Sequence, residues 1–173
     1  MTWRRGRDHR RVRRLEERLS EAGHRIREHL DTEKVIKTTA VAVGRALPPG
    51  VVRIWLTAGS DVPRLAYCTR SSSEDGAPSP AVRKCAERRR PVRDAETPGL
   101  AVPIMSRRAG LFGVLSIEGR AFDSDEERLV AGVAREAGLA MEAANLYERA
   151  VAEKEKSEAI LSRVADAVVV TSP

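Results

Sequence analysis

Two thiols are the side chains with the greatest capacity for covalent chemistry in this 173-residue chain. Cys68 and Cys85 lie outside any Cys-x-x-Cys or Cys/His pattern, which argues against a zinc site and fits a reducing compartment. Lys84 and Arg88 are near Cys85 in the sequence, and nearby cations favour the reactive thiolate. The simpler interpretation of each cysteine is a buried, inert thiol, and a nucleophilic thiol is the alternative.

Imidazole chemistry is restricted to the start of the chain, where His9, His24 and His29 are found. His24 and His29 are five residues apart and so fall on different faces of a helix, whereas metal ligands must converge. No Ser/His/Asp set and no paired carboxylates offer another mechanism. The sequence therefore predicts no metal, no cofactor and no catalytic residue.

The net charge of +6 is concentrated at one end. Residues 1–14 contain seven arginines and one aspartate, and the remainder is neutral. Such a tail suits nucleic acid or an anionic membrane surface, but no stacking aromatics are interleaved and no DNA-binding motif follows, so nucleic acid is not expected. No apolar run of about 18 residues is present, so we expect no membrane span and a cytoplasmic protein.

A hairpin and a long helix dominate the second half of the sequence. Residues 101–105 and 111–118 are short apolar runs separated by a polar turn that ends in glycine. Ser124 and Glu127 have the spacing of a capping box, in which a hydroxyl and a carboxylate satisfy the first free N–H groups of a helix. A helix is therefore predicted from about residue 125 to residue 165.

The first half supplies the remaining elements. A capping signal at Asp31 predicts a helix over residues 32–47. Residues 51–57 and 64–70 alternate as a strand pair joined by a turn at residues 59–63, with Val52, Ile54 and Leu56 on one face of the first strand and Arg53 and Trp55 on the other. Residues 71–78 are predicted to form a polar loop. Ser79 and Pro80 begin a short helix whose buried side includes Val82 and Cys85. Residues 91–94 fit a short edge strand. The predicted fold is α+β: an antiparallel sheet with the N- and C-terminal helices on one face and the Ser79 helix on the other.

At these residues the chain resembles a known family. The segments LAVPI, GLFGVLSIEG and FDSDEERLV, within residues 99–148, resemble the closing hairpin and last helix of a GAF domain. The resemblance covers residues 31–147 in element order. It implies a sensory or regulatory module of a signalling protein, which either binds a small molecule or relays a signal as a dimer.

The resemblance can be compared with family members that bind known ligands. Ligand-binding members have an additional loop or helix over the pocket, where this chain has only residues 95–100. Members that bind cyclic nucleotides carry Asn-Lys before a phenylalanine and Asp-Glu after it. Here Ile-Glu-Gly-Arg stands at residues 117–120, although Phe122 and residues 125–126 match the second half. A ligand-binding input domain for a cyclic nucleotide or another metabolite is therefore the alternative to a relay.

Cofactor-bearing and enzymatic members of the family are less similar. Bilin is attached through a cysteine beside a histidine, whereas Cys85 is followed by Ala86, and haem members use a histidine inside the domain. A few domains of this fold reduce free methionine sulfoxide with cysteines, but their motifs are absent. We therefore expect at most a small apolar pocket, with these weak ligand-binding candidates: Tyr67, Val82, Cys85, Val102, Ile104 and Leu115.

Apolar residues at alternating spacings of three and four form two helical seams. The first consists of Val12, Leu15, Leu19, Ala22 and Ile26; the second includes Val133, Ala137, Ala140, Ala144, Tyr147 and Val151. Neither seam is stable alone, because one is short and the other is rich in alanine. The sequence predicts a parallel homodimer in which these residues form a four-helix bundle.

The C-terminal segment SEAILSRVADAVVVTSP resembles the opening of a PAS domain, with a helix and then a strand over residues 167–171. The predicted organisation is a basic tail and heptad helix (1–30), a GAF-like domain (31–147), a linker helix (148–165) and the start of a truncated PAS-like module (166–173). The chain is interpreted as part of a longer protein, such as a sensor histidine kinase of a two-component system or a regulated phosphatase.

Overall fold

The computed structural model describes residues 3–57, 62–70, 76–94, 96–108 and 110–170, with side chains from residue 12 to residue 160. In chain order the elements are α1 (Trp3–Arg27), α2 (Thr32–Ala46), β1 (Val51–Leu56), β2 (Arg64–Cys68), α3 (Pro80–Arg88), β3 (Val92–Arg93), β4 (Gly99–Ser106), β5 (Gly110–Glu118) and α4 (Ser124–Val170). The predicted loop at residues 71–78 and the turn at residues 59–61 lie mostly outside the described residues.

The strands form one antiparallel sheet in the order β2-β1-β5-β4-β3. Side-chain alternation gives the sheet two different faces. Val52 and Ile54 pack in the larger core with α1, α2 and α4, whereas Trp55 packs in a smaller cluster with α3. The predicted α+β architecture, with the terminal helices on one face and α3 on the other, is confirmed.

Two helices begin where the capping signals predict. The Asp31 carboxylate accepts hydrogen bonds from the backbone N–H groups of Glu33 (2.9 Å) and Lys34 (3.2 Å). The bond from Lys34 is the main cause that lowers the pKa of Asp31. Ser79 caps α3 in the same way, with Pro80 at the first helical position, where a missing N–H costs nothing.

The capping box of α4 lies one residue earlier than the sequence predicts. The Asp123 carboxylate accepts from the backbone N–H groups of Asp125 (2.9 Å) and Glu126 (2.8 Å), and Glu126 accepts in return from the Asp123 N–H. Ser124 and Glu127, the predicted pair, instead accept hydrogen bonds from a side chain of β3. The sequence could not distinguish Asp123 from Ser124, because both types are good N-caps.

Both terminal helices are longer than predicted. α1 is already helical at Trp3, so the basic segment continues the heptad helix and is not a separate tail. α4 remains helical to Val170, which contradicts the predicted strand from residue 167; residue 171 lies outside the described part. A strand needs a neighbour for its backbone groups, whereas a helix satisfies them internally. The 47 residues of α4 span about 70 Å.

Gly138 allows α4 to approach the sheet closely. A Cβ atom at this position would lie 2.0 Å from the carbonyl oxygen of Met105 and 2.8 Å from its carbon, so only glycine permits this contact with β4. The nearby Met141 and Ala144 are buried in the same interface region. The first half of α4 is therefore fixed directly against a central strand pair.

Candidate functional site

The space between α3 and the sheet is occupied by packed side chains. Val82 and Cys85 are fully buried against Trp55, Ala101 and Val114. Burial in this apolar cluster raises the pKa of the Cys85 thiol to about 12. At neutral pH the thiol therefore stays protonated, and Lys84 and Arg88 do not make it a nucleophile. Cys85 is therefore buried, as the simpler interpretation predicts.

Polar side chains continue across the α3 face of the sheet. The indole Nε1 of Trp55 donates a 2.9 Å hydrogen bond to the Ser116 hydroxyl, and both side chains are buried. Arg53 forms an ion pair with Glu118. Burial by itself would lower the pKa of Arg53, but the hydrogen bond to Glu118 and its charge outweigh burial and raise it. The Arg53 guanidinium therefore stays protonated at neutral pH.

The half-buried thiol of Cys68 lies beside this ion pair, since Cys68 and Arg53 are opposite one another in the β1–β2 ladder. Neither cysteine is part of a disulfide. Cys85 belongs to α3 and is sealed in its apolar cluster, so the two thiols occupy different environments on this face. The described contacts provide a structural role for Arg53 and Glu118 in joining β1 to β5.

The six predicted ligand-binding residues do not lie together, which corrects the predicted pocket. Val102, Ile104 and Leu115 face the core beneath the terminal helices, and Tyr67 packs against that core. Val82 and Cys85 lie on the other face of the sheet. The sequence placed the β1 side chains on the correct faces of the sheet. The residues it chose from β4 and β5, however, are each one position away from a residue that faces α3. The face below α3 instead presents Trp55, Ala101, Val114 and Ser116. The prediction that Trp55 and Ile54 lie on different faces of the sheet was the signal that could have identified this face.

The predicted dimer seams are largely used within one chain. Leu15, Leu19, Ile26, Val133, Ala137, Ala140 and Ala144 are all buried inside the protomer. A buried side chain has no surface left to give to a partner, so these residues are corrected from dimer interface to protomer core. Val12 is half-buried, whereas Tyr147 and Val151 are 52% and 38% exposed. The homodimer itself stays a prediction.

The first turn of α4 is attached to β3 and to the loop after β5. Arg93 Nε donates to Glu127 at 2.8 Å, and the same guanidinium reaches the Ser124 hydroxyl at 3.4 Å. Arg120 forms a buried ion pair with Glu126, and its guanidinium carbon lies 4.8 Å from the centroid of the Phe122 ring. Glu126, part of the acidic pair compared with cyclic-nucleotide binders, is therefore engaged in holding the helix start.

A second attachment lies about one helix turn beyond Gly138, at Glu142. Glu142 of α4 accepts hydrogen bonds from the Ser106 hydroxyl at 3.0 Å and from the Arg107 backbone N–H at 3.2 Å. Both donors belong to the end of β4 and the turn that follows. Together with the first-turn contacts, this bond fixes α4 to the sheet at two separate points along its length.

The second half of α4 extends away from the domain. Every residue from Leu146 to Ile160 is exposed, in contrast to the buried positions before it. We call residues 147–170 the overhang; over residues 161–170 only the backbone is described. Because it continues a helix that is fixed to the sheet, any movement of the sheet that shifts α4 also displaces the overhang.

Within the described residues, no group of three or more His, Cys, Asp or Glu side chains is placed to hold a metal ion. None of the described helices combines the length and apolar character that a membrane crossing requires.

Solved structures share this arrangement of sheet and helices. The GAF domain of an Acinetobacter phosphoenolpyruvate-protein phosphotransferase superposes with a TM-score of 0.65 at 16% identity, over 78% of this chain and 97% of that one. The GAF-B domain of DevS from Mycobacterium smegmatis gives 0.58 at 17% identity, over 69% and 98%. The chain has the GAF fold.

The GAF fold is also used by enzymes. A free methionine-R-sulfoxide reductase from Neisseria meningitidis, solved with its substrate, superposes with a TM-score of 0.67 at 16% identity, over 79% of this chain and 93% of that one. No family model and no curated protein matches the sequence. At these identities the likeness establishes the fold, and function must be argued from the residues of this chain.

Proposed function

We propose that this chain is a non-catalytic GAF-type regulatory domain that acts as a dimerisation and signal-relay module of a multidomain cytoplasmic signalling protein. Its output would be α4, which passes through the linker segment at residues 148–165 to a following module, proposed to be PAS-like. A sensor histidine kinase of a two-component system or a regulated phosphatase is the proposed context. The chain would work as a homodimer, with at most a small ligand pocket below α3.

The observation that carries this proposal is the division of α4 into an anchored half and an exposed half. The anchored half is held by Gly138 against β4 and by the carboxylates of Glu126, Glu127 and Glu142. The exposed half makes no use of its apolar Tyr147 and Val151 within the protomer. A domain that needed α4 only for its own stability would gain nothing from the overhang.

A contact route from the sensory side of the sheet to α4 supports the relay. β3 follows α3 after a few residues and pairs only with β4 in the described sheet. Arg93 of β3 holds the first turn of α4 through Glu127 and Ser124. A change in the position of α3 would therefore reach α4 through β3 without passing through the main core.

Ligand sensing is the second candidate function. The α3 face carries a buried Trp55–Ser116 hydrogen bond and the Arg53–Glu118 ion pair, which are groups that orient small ligands in other pockets. Val82 and Cys85 now pack directly against the sheet, so a ligand must displace α3 to enter. A thermal-shift screen of nucleotides and small metabolites tests this function, and a large shift with a cyclic nucleotide would favour an input domain.

Thiol-dependent reduction of methionine sulfoxide is the third and weakest candidate. The pKa of Cys85, raised to about 12 by burial, opposes it, whereas the half-buried position of Cys68 beside Arg53 favours it. Sustained reduction of free methionine sulfoxide with a thiol reductant would establish an enzyme, provided that Cys68→Ser or Cys85→Ser abolishes the turnover. We expect no turnover.

The relay is tested by moving α3 without a ligand. Val82→Trp overfills the cluster below α3 and forces that helix outward, whereas Lys84→Trp adds the same ring on its exposed side. Hydrogen–deuterium exchange read by mass spectrometry should rise in β3 and in the first turn of α4 for Val82→Trp only. Unchanged exchange in α4, with increased exchange around α3, would contradict the relay.

A further inference from the structure

A groove of about 530 Å³ lies between α1 and α2. Its floor is apolar and is formed by Ala22, Val41, Ala42 and Ala46, which are buried or half-buried. A groove of this size between two helices has room for the side chains of a third helix laid along it. The relay proposed above does not use this surface.

The rim of the groove is basic. Arg18 and Arg25 line it from α1, one heptad apart, and Lys37 and Arg45 line it from α2. The one carboxylate in the lining, Glu21, is bonded to Arg25 at 2.6 Å. Four cations and one carboxylate around an apolar floor select a partner that is apolar at its centre and acidic at its edges.

The overhang of α4 has this chemistry on one of its faces. At 100° per residue, two apolar and three acidic residues fall within an arc of about 100°. They are Tyr147, Glu148, Val151, Glu155 and Glu158, all exposed. Arg149 and Lys156 project from the opposite side, while Lys154 borders the face and lies 3.7 Å from the Glu158 carboxylate. We call this surface the acidic face.

We propose that the acidic face of one protomer docks into the α1–α2 groove of a second copy, reciprocally. Glu148 and Glu155 are seven residues apart, as are Arg18 and Arg25, so both pairs span about 10.5 Å along their helices. The same chain cannot make this contact, because α4 continues without interruption to Val170 and does not turn back. A twofold axis closes the assembly, since each copy gives one helix and one groove.

This proposal rests on the homodimeric relay and names the surface that would form it. Tyr147 and Val151 would leave water, and the carboxylates would meet the cations of the rim. A nucleic acid or an anionic membrane would also be attracted to Arg18, Arg25, Lys37 and Arg45, but neither would cover Tyr147 and Val151 on the acidic face. The second copy accounts for both surfaces at once.

Charge exchange tests the contact in the 173-residue chain. Arg18→Glu/Arg25→Glu reverses the rim, and Glu148→Arg/Glu155→Arg reverses the acidic face. Sedimentation equilibrium should show dimers for the unmodified chain and dimerisation weakened about tenfold or more for each variant. An equimolar mixture of the two variants should restore the dimer, because one contact is then native and the other has both signs exchanged. Lys84→Glu/Arg90→Glu, at exposed positions in α3 and just after it, makes the same charge change as the rim variant and should dimerise normally.

The possible results separate this contact from the relay itself. A dimer that resists reversal of the rim but is lost with Glu148→Arg/Glu155→Arg would overturn the groove and leave a relay through paired overhangs. A monomer at tens of micromolar would overturn both. If reversal of the rim instead abolishes binding to a short DNA duplex or to phosphatidylserine vesicles while the dimer is unchanged, the groove has a different occupant. Circular dichroism checks folding, and Arg18→Gln/Arg25→Gln replaces the reversed rim if that variant does not fold.

Discussion

Two glycines of α4 should respond in opposite directions to the same substitution. At Gly138 a Cβ atom would lie 2.0 Å from the Met105 carbonyl oxygen, whereas ordinary contact begins at 3.4 Å. At Gly132 a Cβ atom would have no neighbour within 4 Å. Both residues are in the interior of the same helix, so Gly→Ala brings the same gain in helix propensity, about 1 kcal/mol.

The difference between the two variants follows from the contact with β4. Gly138→Ala must separate α4 from β4 by about 1 Å or more, and because the obstacle is backbone, the cost falls at the upper end of overpacking penalties, about 3 kcal/mol. After the propensity gain, we expect a net loss of about 2 kcal/mol. Gly132→Ala has no such penalty and should gain about 1 kcal/mol, so the variants should differ by about 3 kcal/mol.

Urea unfolding followed by circular dichroism measures this difference, and thermal melts should place the two midpoints about 6–12 °C apart. The measurement is repeated at several protein concentrations, so that a change in association is not mistaken for a change in folding. If Gly138→Ala is as stable as Gly132→Ala, the close contact between α4 and β4 does not exist in solution. The anchored half of the proposed relay helix would then have lost its main support.

Three other variants test the α3 face and its connection to α4. Cys85 should resist alkylation at pH 8 in the folded protein, whereas Cys68 should be labelled. Because burial raises the pKa of Cys85 from 9.0 to about 12, the thiol loses its proton at a lower pH in the unfolded state than in the folded state. The free energy of unfolding should therefore fall between pH 9 and 12, and it should fall less in Cys85→Ala. Trp55→Phe leaves the Ser116 hydroxyl buried without its donor and should cost about 1–2 kcal/mol by urea unfolding; an unchanged midpoint would show that water satisfies the hydroxyl. Arg93→Met should lower the free energy of unfolding by less than about 1 kcal/mol, because the ion pair of Arg93 with Glu127 is partly exposed. The same variant should increase hydrogen exchange in the first turn of α4. Exchange equal to that of the unmodified chain would remove β3 from the relay.

The order of the elements could be predicted from local signals in the sequence. Asp31, Ser79 and Pro80 mark helix starts with groups that act within three residues, and the β1 alternation placed Trp55 opposite Ile54 correctly. Such signals depend on neighbours along the chain and need no knowledge of the fold. The position of the α4 capping box was missed because Ser124 is engaged by Arg93, which is 31 residues away.

The candidate pocket was predicted less well, because it depended on the phase of two strands in a sheet covered on both sides. In β4 the side chains of Ala101 and Val102 are both buried, one under α3 and the other under the terminal helices. An apolar run of this kind carries no alternation from which to read its phase. The polar partners Ser116 and Glu118 follow the same phase, so one error replaced every site residue predicted from β4 and β5 by one on the opposite face.

The same covering of both faces determines where an interaction surface is available. The heptad spacing of Leu15, Leu19 and Ile26 describes a helix that must pack against other helices, but it does not say whether they belong to the same chain. Here α2 and the first half of α4 satisfy that need, so the exposed large apolar residues of α4 begin at Leu146, beyond the sheet. An association through the overhang would leave the core intact and act directly on α4, the proposed output helix. That is the geometry a relay requires, because the contact that joins two copies is then also the one that senses a shift in α4.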